Sequence, residues 1–238
     1  MYFHLKWGGL IKIKICGITN EKEIEYLNIL KPDYIGFVFT DSRRKINPYK
    51  AAALREELNP YIKCVAVFRN NSIAEIKETL KVVKPDIVQL HGSESYDFAK
   101  SVKSVEKEND AEFEIWKALS LKDELLLKEY LSYYIGRNDK TVISNILFDG
   151  SNPGSGETYS LAPLNKILNQ KYPQINNQDF KFILAGGITC ENVLSKIKEA
   201  HPWGVDVSSG VEEADSSGFR YKSFHKMKDL ICKVREIY

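Results

Sequence analysis

Ile11-Lys12-Ile13-Lys14-Ile15-Cys16-Gly17-Ile18-Thr19-Asn20 is the stretch on which the reading of this chain turns. Isoleucines alternate with Lys12, Lys14 and Cys16, which is the two-residue period of a β-strand. The Gly17-Ile18-Thr19-Asn20 that follows ends the strand and offers caps for a helix. A thiol therefore stands at the carboxyl end of an early strand. Lys14 shares its face, so a lysine points into the layer beneath Cys16, where a buried ammonium needs a partner acid. Taken alone, Cys16 is as readily a small packing residue as a reactive one. The later motifs decide between the two.

Working outward, apolar runs closed by turn residues recur at 11–16, 33–39, 63–68, 86–91, 113–118, 142–149, 180–185 and 204–208. Between them lie segments of helical period with charged outer faces: Glu21–Leu30, Pro48–Leu58, Ser72–Val83, Ser95–Glu108, Lys122–Tyr133, Leu161–Gln170 and Glu191–Ala200, with Lys222–Arg235 closing the chain. Strict β-α alternation implies a parallel sheet, and eight units suggest closure as a single α/β (β/α)8 TIM barrel. A doubly wound open sheet is the alternative. Residues 1–10 read as a short N-terminal extension and 11–238 as the barrel domain. Lys103–Asp110 and Arg137–Asn145 read as loop enlargements, and Tyr172–Asp179 as a polar loop before strand seven.

In such a barrel the chemistry sits at the carboxyl ends of the strands. Strand one ends in Cys16, the loop after strand two carries Asp41-Ser42-Arg43-Arg44-Lys45, and strand four ends Gln89-Leu90-His91-Gly92. Strand six ends Leu147-Phe148-Asp149-Gly150, strand seven Ala185-Gly186-Gly187, and strand eight runs Val205-Asp206-Val207-Ser208-Ser209-Gly210. Singly, Asp149 could be a helix cap, His91 a structural histidine and Arg43-Arg44-Lys45 a solvated loop. The glycine turns are more specific. Gly186-Gly187 lets backbone approach an anion, and Ser208-Ser209-Gly210 before a short helical segment supplies N–H donors, at the two loops where barrels commonly hold phosphate. A small phosphorylated substrate follows. Strand period also puts Cys16, His91, Asp149 and Ser208 toward the lumen, with Lys14, Gln89, Leu147 and Asp206 one layer below. Strands one and eight are neighbours in a closed barrel, so Lys14 and Asp206 are expected to pair, within about 5 Å of each other.

The 238 residues are 43% hydrophobic and 28% charged, with a formal net charge of +2. That balance gives no electrostatic footprint for nucleic acid or a membrane surface. Cys16, Cys64, Cys190 and Cys232 lie far apart with no CxxC pair, against a zinc site or a disulfide scaffold. Reduced thiols in a cytoplasmic protein are expected. The opening residues lack the basic end and apolar run of a signal peptide, and no stretch approaches the ~20 apolar residues of a membrane span.

Six blocks, taken in order, carry a family resemblance. They are Lys14-Ile15-Cys16-Gly17-Ile18-Thr19; Gly36-Phe37-Val38-Phe39 followed by Ser42-Arg43-Arg44; Val65-Ala66-Val67-Phe68; Val88-Gln89-Leu90-His91-Gly92; Leu184-Ala185-Gly186-Gly187-Ile188-Thr189; and Val205-Asp206-Val207-Ser208-Ser209-Gly210-Val211-Glu212. From residue 12 to about 235 the chain resembles phosphoribosylanthranilate isomerase. The resemblance implies a (β/α)8 barrel of tryptophan biosynthesis that performs an Amadori rearrangement without metal or organic cofactor, as a monomer or homodimer. It places the general base on Cys16 and the general acid on Asp149. It places the anthranilate contact on Arg44, with Arg43 as a possible substitute, and phosphate contacts on Gly186, Gly187, Ser208, Ser209 and Gly210. His91 lines the pocket, and Asp206 joins the substrate-binding set. Other sugar-phosphate barrels remain as rivals, among them the related isomerase of histidine synthesis, as does a barrel that binds without catalysis. The histidine-pathway enzyme uses two aspartates, and Cys16 speaks against it. Three departures stand out: Glu157 where a lysine is frequent, a loop after strand two about one residue shorter than in many relatives, and Ser223 where an acid is common.

Overall fold

The computed structural model describes residues 10–109, 112–120, 122–136, 141–150 and 181–237. The expected extension up to residue 9, the helix Leu161–Gln170, the Tyr172–Asp179 loop and Glu157 lie outside the described residues. Eight parallel strands close into a barrel in chain order: β1 (Lys12–Cys16), β2 (Tyr34–Val38), β3 (Lys63–Phe68), β4 (Ile87–Leu90), β5 (Glu114–Ser120), β6 (Asn145–Asp149), β7 (Phe182–Ala185) and β8 (Gly204–Val207). This excludes the open doubly wound sheet. The ring closes where β8 pairs with β1, with Lys14 opposite Asp206, and β2 sits on the other side with Gly36 opposite Cys16.

Helices α1 (Glu21–Leu30), α2 (Pro48–Glu56), α3 (Ile73–Val83), α4 (Tyr96–Asn109), α5 (Glu124–Leu131), α6 (Val193–Ala200) and α7 (Phe224–Arg235) wrap the outside. Local sequence sets their starts. Asn20 caps α1 by accepting from the Glu23 amide, Asn47 precedes Pro48 at the first turn of α2, and Ser72 with Glu75 forms a capping box on α3. Two apolar cores result. Outward-facing residues such as Ile13, Ile15, Ile35, Phe148, Leu184, Val205 and Val207 pack against the helices. The lumen holds Cys16, Tyr34, Val65, Val67, Trp116, Leu147, Ile183 and Ala185. The alternation read from sequence is thus the alternation observed.

Two segments differ from expectation and a third is described only in part. Lys103–Asp110 is no loop enlargement, since α4 runs to Asn109. Ala99, Val102 and Val105 are buried at helical spacing, as one face of that helix. Of Arg137–Asn145, residues 137–140 are not described, 141–144 lie outside any helix or strand, and Asn145 opens β6. Lys222 does not open the last helix. It belongs to β10 (Arg220–Lys222), which forms an antiparallel hairpin with β9 (Glu212–Ala214) after β8. Among the described residues no helix is long and apolar enough to cross a membrane, and the four cysteines are unpaired.

Candidate active site

The residues singled out in the sequence converge on the carboxyl rim of the barrel, in two groups. The first surrounds Cys16. Lys14 lies below it in the lumen, bonded to Asp206 Oδ2 at 2.8 Å with both side chains buried, so the pairing expected from strand parity is present. Ser208 Oγ donates to the Cys16 carbonyl at 3.0 Å, tying the end of β8 to the end of β1. Burial holds the Cys16 thiol above its ordinary pKa; Lys14 and Lys222 oppose it, and Asp206 adds to it. Burial also works against the Lys14 ammonium, but Asp206 and Cys16 outweigh that cost and hold its pKa above the usual lysine value.

The second group is on β4 and β6. Gln89 Nε2 stands 2.7 Å from His91 Nδ1, and His91 Nε2 stands 3.2 Å from Asp149 Oδ2. The amide as placed donates to Nδ1, which assigns the ring proton to Nε2 and makes the imidazole a donor to Asp149. Buried Lys117 on β5 pins the turn after His91 from behind. Its ammonium donates to the Gly92 carbonyl at 2.6 Å and to Glu94 Oε2 at 2.8 Å.

Between the groups, Gly186 and Gly187 form the turn leaving β7, with φ of 88° and 58°. Gly210 lies so close to that loop that a Cβ on it would fall 1.8 Å from the Ile188 carbonyl oxygen. The two candidate phosphate loops therefore touch, and only glycine permits it. The helical segment after Ser208 is a single 3-10 turn, Ser209–Val211. What it offers an anion is a few N–H groups rather than the dipole of a full helix.

Arg44 is bound inside a cluster that the sequence did not announce. Its stem packs over Gly17, and its guanidinium lies 3.0 Å from Glu212 Oε1 and 3.5 Å from Glu23 Oε1. Arg43 is exposed, which separates the two arginines left open by the motif. Lys222, fully buried, faces Glu212 across the β9–β10 hairpin at 3.0 Å and also donates to the Ser208 carbonyl. Glu23 closes the ring by accepting from the Lys222 and Thr19 amides. Burial opposes the Glu212 carboxylate, but Lys222 and Arg44 outweigh it and hold its pKa low. Glu23 reads as an ordinary first-turn helix acid, and its period gives no hint that it turns back over a strand end. Lys222 carried only the signal of standing next to Ser223, where the resemblance has an acid. Gly36 was legible only as part of a motif.

Among the described residues no group of three or more His, Cys, Asp or Glu is placed to hold a metal ion. The arrangement offers one buried thiol, one carboxyl hydrogen-bonded to an imidazole, and a glycine-rich rim suited to a phosphate.

A family model described as N-(5'phosphoribosyl)anthranilate (PRA) isomerase matches residues 13–231. The N-(5'-phosphoribosyl)anthranilate isomerase of Clostridium beijerinckii is 45% identical over 234 residues, covering 96% of this chain and 99% of the relative. The phosphoribosyl anthranilate isomerase of Thermus thermophilus aligns with a TM-score of 0.75 at 30% identity, over 96% of this chain and 100% of that one. A further solved isomerase holds reduced 1-(o-carboxyphenylamino)-1-deoxyribulose 5-phosphate; it aligns with a TM-score of 0.71 at 28% identity, over 95% of this chain and 100% of that one.

Proposed function

The chain belongs to the N-(5'-phosphoribosyl)anthranilate isomerase family of tryptophan biosynthesis, and we propose that Cys16 and Asp149 are the base and acid of its Amadori rearrangement. The observation that supports this reading is that Cys16 ends β1 and Asp149 ends β6, on the same carboxyl rim as the glycine turns that follow β7 and β8.

Asp149 gives a proton to the furanose ring oxygen as the C1–O bond opens, and the nitrogen lone pair completes a Schiff base with C1. That cation acidifies the neighbouring C2–H. The Cys16 thiolate takes the C2 proton, and the electron pair moves into the C1–C2 bond to give the enolamine. Tautomerisation to the ketone completes an isomerisation in which no atom is gained or lost. His91, donating to Asp149, fixes the plane of the acid. Arg44 stands for the anthranilate side, and Gly186, Gly187, Ser208, Ser209 and Gly210 hold the phosphate through backbone N–H groups. Asp206 forms the floor beneath Cys16.

The test is loss of phosphoribosylanthranilate fluorescence on adding the purified protein, compared with Cys16→Ala and Asp149→Ala. Both variants should lose on the order of 10²-fold or more in kcat, as removal of a general acid or base does. Full activity in either variant would remove that residue from the chemistry. A folded wild type with no turnover would remove the activity itself.

A further inference from the structure

Cys16 is not an isolated thiol. A Cβ on Gly36 would stand 2.8 Å from Cys16 Sγ and 3.3 Å from Lys14 Nζ. Thiol and ammonium therefore converge over one bare backbone position of β2, and any side chain there would displace them. The same ammonium is held by Asp206 Oδ2, while Asp206 Oδ1 has no hydrogen-bond partner among the described residues. The other charges around Cys16 are already matched. Lys222 on β10 is paired with Glu212, and Arg44, over Gly17, lies between Glu23 and Glu212. β2 contributes Gly36 and no charge at this level.

Resting on the reading of Cys16 as the base, we propose that Lys14 and Asp206 are positioning residues that set the charge of the thiol from below. The ammonium steadies the thiolate, the carboxylate competes for that ammonium, and Gly36 is the socket that lets the three meet. Burial penalises the ionised form of a thiol, so without the Lys14 cation Cys16 would ionise only at still higher pH and present less thiolate to take a proton. The two members of the pair act on it with opposite sign.

Opposite sign is what a merely structural role would not produce. The experiment follows iodoacetamide alkylation of the full chain against pH, with Cys16 read separately from Cys64, Cys190 and Cys232 by peptide mass spectrometry. Lys14→Met should move the Cys16 inflection to higher pH and slow its alkylation near neutrality about tenfold or more, one pH unit being a tenfold change in thiolate fraction. Asp206→Asn should move it to lower pH and speed alkylation, since the thiolate becomes the counter-ion of Lys14. Gly36→Ala buries no new charge and guards against misfolding of the other two. It should raise the inflection by pushing Sγ off the ammonium, with folding checked by circular dichroism. An unmoved inflection in Lys14→Met or in Gly36→Ala overturns the proposal, as does a shift of the same sign in the Lys14 and Asp206 variants. Turnover measured in parallel keeps the two readings apart. A silent wild type with opposed shifts overturns the isomerase base and leaves the charge-setting pair standing, and an active wild type with unmoved inflections does the reverse.

Discussion

The buried face of a single histidine shows how one neighbour decides what a side chain can do. With Gln89 Nε2 donating to His91 Nδ1 at 2.7 Å, the ring proton belongs on Nε2, where it points at Asp149. Gln89→Leu removes that instruction at nearly the same volume and leaves Nδ1 without its donor. The expected outcome is a fall in kcat of about tenfold with KM changed little, because the substrate still binds but the carboxyl is presented in mixed orientations. Steady-state kinetics on the folded variant decide it, and an unchanged kcat would show that the orientation of His91 does not matter to the proposed acid, Asp149. At this scale the sequence was informative wherever strand parity applied. Cys16, His91, Asp149 and the Lys14–Asp206 pair all follow from counting by two along known strands. It was silent on Glu23 and on the partners of Arg44, because those contacts join a helix turn, a loop and a hairpin whose approach no local period encodes.

The closing helix carries an instructive departure from its family. Where an acid is common, this chain has Ser223, and Ser223 is the N-cap of α7, its hydroxyl accepting from the Lys226 amide. Aspartate and serine do the same work at that position, since each offers an oxygen to an amide that the helix leaves without a partner. Ser223→Ala should therefore cost about 1 kcal/mol, a drop of about 2–4 °C in Tm by thermal denaturation, while Ser223→Asp should restore the wild-type value or exceed it. Failure of the aspartate to restore it would mean that the hydroxyl matters for something other than capping. Elements of this kind, with caps and a clean apolar stripe, were legible to within a residue or two. The β9–β10 hairpin was not. Its three-residue strands are held by the Glu212–Lys222 cross-strand pair rather than by alternating apolar residues, so the pattern that finds strands had nothing to find.

Closing a ring of eight strands requires the last element of the chain to find the first, and the amino end of the barrel shows how charge contributes to that meeting. Asp33, just before β2, accepts from Lys12 at 2.8 Å, from the Ile13 amide at 3.0 Å and from Arg235 at 2.6 Å. Arg235, at the end of α7, also donates to the Ile11 carbonyl. One carboxylate thus joins β1, β2 and the final helix, at the end of the barrel away from the candidate chemistry, where groups serve stability. Burial alone would raise the Asp33 pKa, but the bonds from Lys12, Ile13 and Arg235 outweigh it and hold the carboxyl below the usual aspartate range. A carboxyl whose pKa is lower folded than unfolded stabilises the fold at any pH above its unfolded value, and that contribution is lost as pH falls through the folded value. Asp33→Asn should then cost about 2 kcal/mol near neutrality, the size of a charge-assisted hydrogen bond, or about 4–8 °C in Tm. The gap between wild type and variant should hold constant down to roughly the pKa of an unfolded aspartate, about 3.9, and close only in more acidic solution. Thermal melts of both proteins across that range carry the test. A gap that closed near pH 6 would assign the stability to a different group, and a variant as stable as wild type at neutrality would mean that the outer core closes the barrel without this clamp.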